Sequence, residues 1–217
     1  MPHLALAILL RTLVAQADQP APRTDANSAK AHQQLLDKAK HGHIGVYFAG
    51  DSITRRWGAT DYPEFLEHWN KTFHGWNAAN FGWGADRVQN ILWRLENGEL
   101  DSVNPKAIVL LAGTNNIGNA APANPDALVA DVTQGLAAVI RAMRAKAPAA
   151  VIIVTAIFPR NDNMAALPII DRINANLERL AGGKQIRYLN INGQLVGETG
   201  TLRPGMMVDK LHPALPG

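Results

Sequence analysis

Cysteine is absent from the 217 residues. Thiol nucleophiles, disulfide staples and thiolate metal sites are therefore excluded, while the compartment stays undecided. A surplus of one charge is missing too. Twenty-one Lys and Arg stand against 18 Asp and Glu, for a net +3, and the basic residues are scattered without long runs. That balance gives no footprint for nucleic acid. No apolar run approaches the roughly 20 residues that cross a bilayer, so no integral membrane span is expected. No Gly-x-Gly-x-x-Gly follows the first strand and no phosphate-cradling P-loop occurs, which leaves a flavodoxin-type or dinucleotide-binding role without support. What remains is an ordinary globular composition, 47% hydrophobic and 18% charged, long enough to bury one proper core.

The N-terminus has a separate character. Leu4–Leu10 is almost wholly apolar, and Ala15-Gln16-Ala17 supplies a small-x-small site ahead of Asp18. The pattern predicts a secretory signal peptide over residues 1–17 and hence a secreted or periplasmic protein. Arg11 interrupts the apolar run and no Lys or Arg precedes it, so a helical N-terminal arm on a cytoplasmic protein is the alternative. Residues 18–28, rich in Pro, Ala, Asp, Asn and Ser, read as a linker.

From residue 29 onward, helix and strand patterns alternate. Ala29–His41 is helical up to Gly42, and Ile44–Ala49 is the first strand. Phe65, Leu66, Trp69 and Phe73 share a helical face, as do Val88, Ile91, Leu92 and Leu95, whose helix Asp86 is placed to cap. Ala107–Ala112 is a continuous apolar run of the kind buried on both faces of a parallel sheet. Leu128 to Met143 is amphipathic, Val151–Ile157 is a strand, Leu167 to Leu180 is helical, and Ile186–Ile191 is the last strand. Ala78–Phe81 is short and ambiguous. Four clear strands and a fifth between helices predict an α/β protein, a parallel sheet wrapped on both faces in the flavodoxin-like order 2-1-3-4-5. The loops after Ala49, Phe81 and Ala112 would then open on one crevice.

Each of those loops carries polar groups. Gly50-Asp51-Ser52 places a hydroxyl where a buried strand hands over to a helix. That is the display of a serine nucleophile, and equally the position of a simple helix cap. Asp209-Lys210-Leu211-His212 sets a carboxylate and an imidazole three residues apart. The carboxylate can accept the Nδ1–H and leave Nε2 to take a serine proton. Gly84-Ala85 sits at a tight turn before a helix, where backbone N–H groups are free to face negative charge. Asn115 can add a side-chain amide, or can simply hold its own loop. His41 and His43 flank Gly42 without an evident third ligand, so no metal is expected. Trp57, Trp83 and Arg87 would either line an alcohol-side platform or, for the tryptophans, pack in the core.

Four stretches in order, Gly50-Asp51-Ser52-Ile53, Asn80 to Asp86, Gly113-Thr114-Asn115-Asn116 and Asp209 to Pro213, resemble the blocks of the SGNH hydrolases, also called the GDSL esterase/lipase family. Ile91 to Leu100 and Ile157-Phe158-Pro159-Arg160 resemble the branch containing the catalytic subunits of type Ib platelet-activating-factor acetylhydrolase. The resemblance implies a three-layer α/β/α sandwich over residues 29–217 and a serine esterase without cofactor or metal. By position it makes Ser52 the nucleophile, His212 the general base and then acid, and Asp209 its orienting carboxylate. Ser52 N–H, Ala85 N–H and the Asn115 amide become the oxyanion donors. Two departures stand out. Ala85 occupies a position where the family usually has glycine, with Gly84 the candidate to supply the permissive dihedral. The chain also stops at Gly217, short of the helix that usually follows the His block. Either the sequence is truncated there, or the sheet face under that helix meets another segment, for which the N-terminal apolar stretch is the candidate, or a partner chain, which would make a homo-oligomer. A short acyl ester, most plausibly the acetyl ester of a small molecule or carbohydrate, is the expected substrate. A non-catalytic small-ligand or sugar-binding module of the same fold is the alternative.

Overall fold

The computed structural model describes residues 16–217. Five parallel strands, β1 (Val46–Gly50), β2 (Ala78–Gly82), β3 (Ala107–Leu111), β4 (Val151–Thr155) and β5 (Ile186–Leu189), form one sheet in the order β2-β1-β3-β4-β5. This is the expected 2-1-3-4-5 arrangement. The ambiguous Ala78–Phe81 stretch is the edge strand β2, hydrogen-bonded to β1 along one side.

Side chains alternate across the sheet with the two-residue period of a strand. Tyr47, Ala49, Ile108, Leu110, Ile152 and Val154 enter the larger core, shared with helices α1 (Ala26–His41), α4 (Val88–Arg94), α6 (Pro125–Lys146) and α7 (Leu167–Leu180). Val46 and Phe48 enter the other core with Trp69, under α2 (Ser52–Gly58) and α3 (Pro63–Thr72). The result is a three-layer α/β/α sandwich. Helix α6 is held by Asn124 at its start, where the Oδ1 accepts from Ala127 N–H at 3.0 Å, and it brings Leu136, Val139 and Met143 to the core at three- and four-residue intervals.

The second outer layer is incomplete among the described residues. Ile53 and Leu195 pack on Leu111 of β3 there, and Pro213–Gly217 help to line an apolar cavity of about 410 Å³ that Val109, Ile153, Phe158 and Leu189 also border. The apolar run Leu4–Leu10 lies outside the described residues. The chain enters on the opposite face. Ala17 is fully buried, and its N–H donates to Asp131 Oδ1 of α6 at 2.9 Å. The stretch read as a linker over 18–28 crosses α4 as a strap, and its last three residues form the first turn of α1.

The register places the site. Gly50 pairs with both Gly82 and Leu111, so β1, β2 and β3 end at the same level. The connections after β1 and after β3 depart to opposite faces, through α2–α3 and through α6, which opens a crevice at the carboxyl edge of the sheet.

Candidate active site

Three loops leave that edge together: Asp51-Ser52 after β1, Trp83–Asp86 after β2, and Gly113–Asn115 after β3. Helix α2 begins at Ser52, and its N-cap is Asp51, whose Oδ1 accepts from Ile53 N–H at 2.9 Å. Capping therefore falls to the aspartate, and the serine hydroxyl is left to face the crevice. Asp51 is fully buried, and its second oxygen has no partner among the described residues. Burial raises its pKa to about 7, with the Asp86 carboxylate pushing the same way.

His212 closes the site from a distant segment. Its Nε2 is 2.9 Å from Ser52 Oγ, and its Nδ1 is 2.8 Å from Asp209 Oδ2 and 3.0 Å from Oδ1. The Asp209 Oδ1 also accepts the backbone N–H groups of His212 at 2.8 Å and Leu211 at 3.2 Å. The local turn thus locks the carboxylate against the imidazole. Lys210, between them, takes a left-handed φ of 67° to make the turn. Partial burial lowers the His212 pKa, and the nearby Arg56 guanidinium adds to this against the opposing pull of Asp209. Burial works against the Asp209 carboxylate, yet its bonds to His212 and Leu211 hold its pKa below the usual value. Arg56 donates to Asp209 Oδ2 at 3.3 Å. The sequence reading overlooked it, although the i+4 spacing from Ser52 puts both on one face of α2.

The Trp83–Asp86 turn is closed by Asp86 N–H to Trp83 O at 3.3 Å. Its third residue is Ala85, with φ +61°, at a turn position that ordinarily takes glycine. Gly84 was expected to supply the permissive dihedral, but its φ is not in the left-handed range, and Ala85 itself carries the strained conformation. One amide hydrogen of Asn115 is spent on Asp86 O at 2.8 Å, which leaves the other for a ligand.

Asp86 was expected to cap α4. Instead it is fully buried, and Arg87 is the N-cap, with Asn90 Oδ1 accepting Arg87 N–H at 2.9 Å. Asp86 pairs with Arg94 Nε at 2.8 Å, and Arg94 reaches Glu99 at 2.5 Å and Phe81 O at 3.0 Å. Glu99 in turn holds His32 Nδ1 at 2.7 Å. Burial raises the Asp86 pKa to about 6 against the pull of Arg94 and Arg23. This buried chain supports the loops from below. A second buried guanidinium, Arg160, clasps Asp162 by two bonds of 2.7 and 2.5 Å and donates to Thr114 Oγ1 at 3.1 Å and Asn119 Oδ1 at 2.8 Å. It ties the Asn115 loop to the segment where Asn161 N–H meets Lys210 O at 2.9 Å.

Of the three platform residues Arg87 is exposed, while the two tryptophans are half-buried and make packing contacts, Trp57 also lining the cavity. Trp57 joins Phe48, Trp69 and Phe73 in an aromatic cluster. The Trp83 indole donates to Ser28 Oγ at 2.9 Å. His41 and His43 are exposed. Among the described residues no group of three His, Asp or Glu converges as a metal site.

The GDSL-like Lipase/Acylhydrolase family matches residues 48–217. This chain belongs to that family. Similar proteins include platelet-activating factor acetylhydrolase IB subunit alpha1 of Bos taurus, 31% identical over 202 residues that cover 90% of this chain and 81% of the relative. Subunit alpha2 of Rattus norvegicus is 31% identical over 186 residues, covering 83% and 74%. A solved member of the lipolytic G-D-S-L family from Veillonella parvula shares the fold with TM-score 0.61 at 20% identity, covering 78% of this chain and 88% of that one. The chain is a carboxylic ester hydrolase of the SGNH/GDSL type. In this hydrolase Ser52, within the matched residues, is hydrogen-bonded to His212.

Proposed function

We propose that this esterase cleaves short acyl esters, acetyl esters above all, through an acyl-enzyme on Ser52. The observation that carries the reading is the unbroken chain Ser52 Oγ–His212 Nε2–Asp209, with bonds of 2.9 and 2.8 Å. His212, neutral because its pKa is lowered, takes the hydroxyl proton as Oγ bonds to the ester carbonyl carbon. The carbonyl oxygen gains the charge and is met by Ser52 N–H, Ala85 N–H and the free hydrogen of the Asn115 amide. His212 then gives its proton to the departing alcohol. A water, deprotonated by the same imidazole, releases the acid and restores Ser52. Asp209 stays ionised and fixes the imidazole tautomer. The acetyl preference is supported by the acetylhydrolase names of the relatives at 31% identity. A carbohydrate or glycoside alcohol side is part of the same proposal.

Hydrolysis of p-nitrophenyl acetate and octanoate tests it. Wild type should turn over the acetate faster. Ser52→Ala and His212→Ala should each lose on the order of 10⁴-fold in kcat or more, and Asn115→Ala about 10²–10³-fold. Activity that survives Ser52→Ala would remove the nucleophile. Turnover confined to octanoate would remove the acetyl preference and leave the esterase.

A further inference from the structure

Ala85 stands in a conformation that an alanine does not choose by itself. A left-handed φ of 61° brings its Cβ against the following carbonyl, and the residue is exposed, so no packing holds it there. Something else has to fix the turn. On one side Asn115 holds the Asp86 carbonyl. On the other side Arg23 donates from Nη1 to the Gly84 carbonyl at 3.1 Å and lies 3.6 Å from Asp86 Oδ1.

Gly84 C=O and Ala85 N–H are the two ends of a single planar peptide, and no described peptide bond is cis. In a trans peptide these two bonds point in opposite directions. A grip on the Gly84 oxygen therefore sets the direction in which the Ala85 N–H points. A cation on that oxygen also polarises the amide and makes its N–H a stronger donor.

Arg23 can do this because the strap that carries it is anchored at several points. Ala17 is buried against Gly135 of α6 and bonded to Asp131. Ala21 N–H donates to Gln89 O at 3.1 Å, and Ala21 O accepts from Asn90 Nδ2 at 2.9 Å. Beyond Arg23, Asp25 pairs with the guanidinium at 3.0 Å and caps α1 through Ser28 N–H at 2.9 Å.

We propose that Arg23 is a positioning residue, which acts through the Gly84–Ala85 peptide to aim and strengthen the Ala85 N–H donor of the oxyanion site. The proposal rests on the esterase mechanism above.

Steady-state hydrolysis of p-nitrophenyl acetate by Arg23→Ala, Ala85→Gly and the double variant tests it, with Ser52→Ala as the control for the mechanism itself. Arg23→Ala should lower kcat about tenfold, part of the effect of losing one oxyanion donor, with KM within about twofold. Ala85→Gly lets the turn take its φ without strain. In that background Arg23→Ala should cost no more than about threefold, a non-additivity that a merely structural arginine would not produce. Arg23→Lys, which keeps a charged donor, should recover most of the loss. A folded Arg23→Ala chain with wild-type kcat overturns the proposal, as does an equal loss in both backgrounds. If Arg23→Ala does not fold, Arg23→Gln decides. It keeps a donor without the charge, so a several-fold loss of kcat at constant KM supports the proposal and wild-type kcat overturns it. Ser52→Ala that stays active would refute the mechanism instead, whatever the Arg23 variants do.

Discussion

Ser52 and Asp51 divide two tasks that either could perform. The aspartate takes the cap of α2 and the serine takes the imidazole. His212 sits between opposing influences, and burial with Arg56 outweighs the hold of Asp209, so its pKa is lowered from 6.5. A lowered pKa keeps the imidazole neutral, and competent as a base, to a pH below the free-histidine value. The acid limb of kcat/KM for p-nitrophenyl acetate should therefore fall below pH 6.5 and show a single protonation. Arg56→Ala removes one of the influences that lowers it, and should move that limb upward. It also frees Asp209 of a partner that is itself partly exposed, so the shift should be well under one pH unit. A pH–rate profile of the two proteins checks both statements.

Helix α2 approaches the strand ends so closely that two glycines are required by space alone. A Cβ on Gly50 would meet Thr54 Oγ1 at 2.1 Å and Leu111 O at 2.5 Å, and one on Gly82 would meet Arg55 N at 2.4 Å and Asp51 O at 2.9 Å. At Gly82 the crowding atoms are backbone and cannot rotate away. Gly82→Ala should destabilise the protein by about 3 kcal/mol or more through overpacking, which for a chain of this size lowers Tm by about 6–12 °C. Gly84→Ala, whose Cβ meets open space, should leave Tm nearly unchanged. Thermal melts of the two variants side by side provide the comparison.

Across the whole molecule the two faces of the sheet are unequally covered. Four helices bury one face, while on the other α2 and α3 reach β3 and stop short of β4 and β5, and Leu189 is 44% exposed. Contiguous exposed apolar surface of this kind binds apolar probes. The native protein should enhance the fluorescence of an anilinonaphthalene sulfonate dye saturably, well below its melting temperature. Leu189→Glu should weaken that binding, because the residue is exposed on the sheet face and lines the cavity. A native protein that leaves the dye dark would show the face covered in solution.

The fold was legible in the sequence because periodicity reports burial directly. Continuous runs such as Ala107–Ala112 read as strands buried within a parallel sheet, and the 3.6-residue stripes of α6 and α7 name their own core sides. Ser52, Asp209 and His212, which the structure brings together, were candidates in the sequence because each lies in a short stretch, a strand end or a tight turn, and because those stretches resemble family blocks in order. The short helices α5 (Thr114–Ile117) and α8 (Asn192–Leu195) escaped notice, since one turn shows no period, and α2 was expected only from the strand-to-helix handover at Ser52. Partnerships across long sequence separations escaped for a different reason. His32 with Glu99, Asp86 with Arg94 and Arg23 with Gly84 O depend on which loops the register brings together, and charge pairing has no sequence signature at such distances. Local chain chemistry determined the strands, the helices and the candidate nucleophile with its base. Only the tertiary structure decided that Asp51 rather than Ser52 caps α2, that Ala85 and not Gly84 carries the left-handed turn, and that a strap from the N-terminus holds it there.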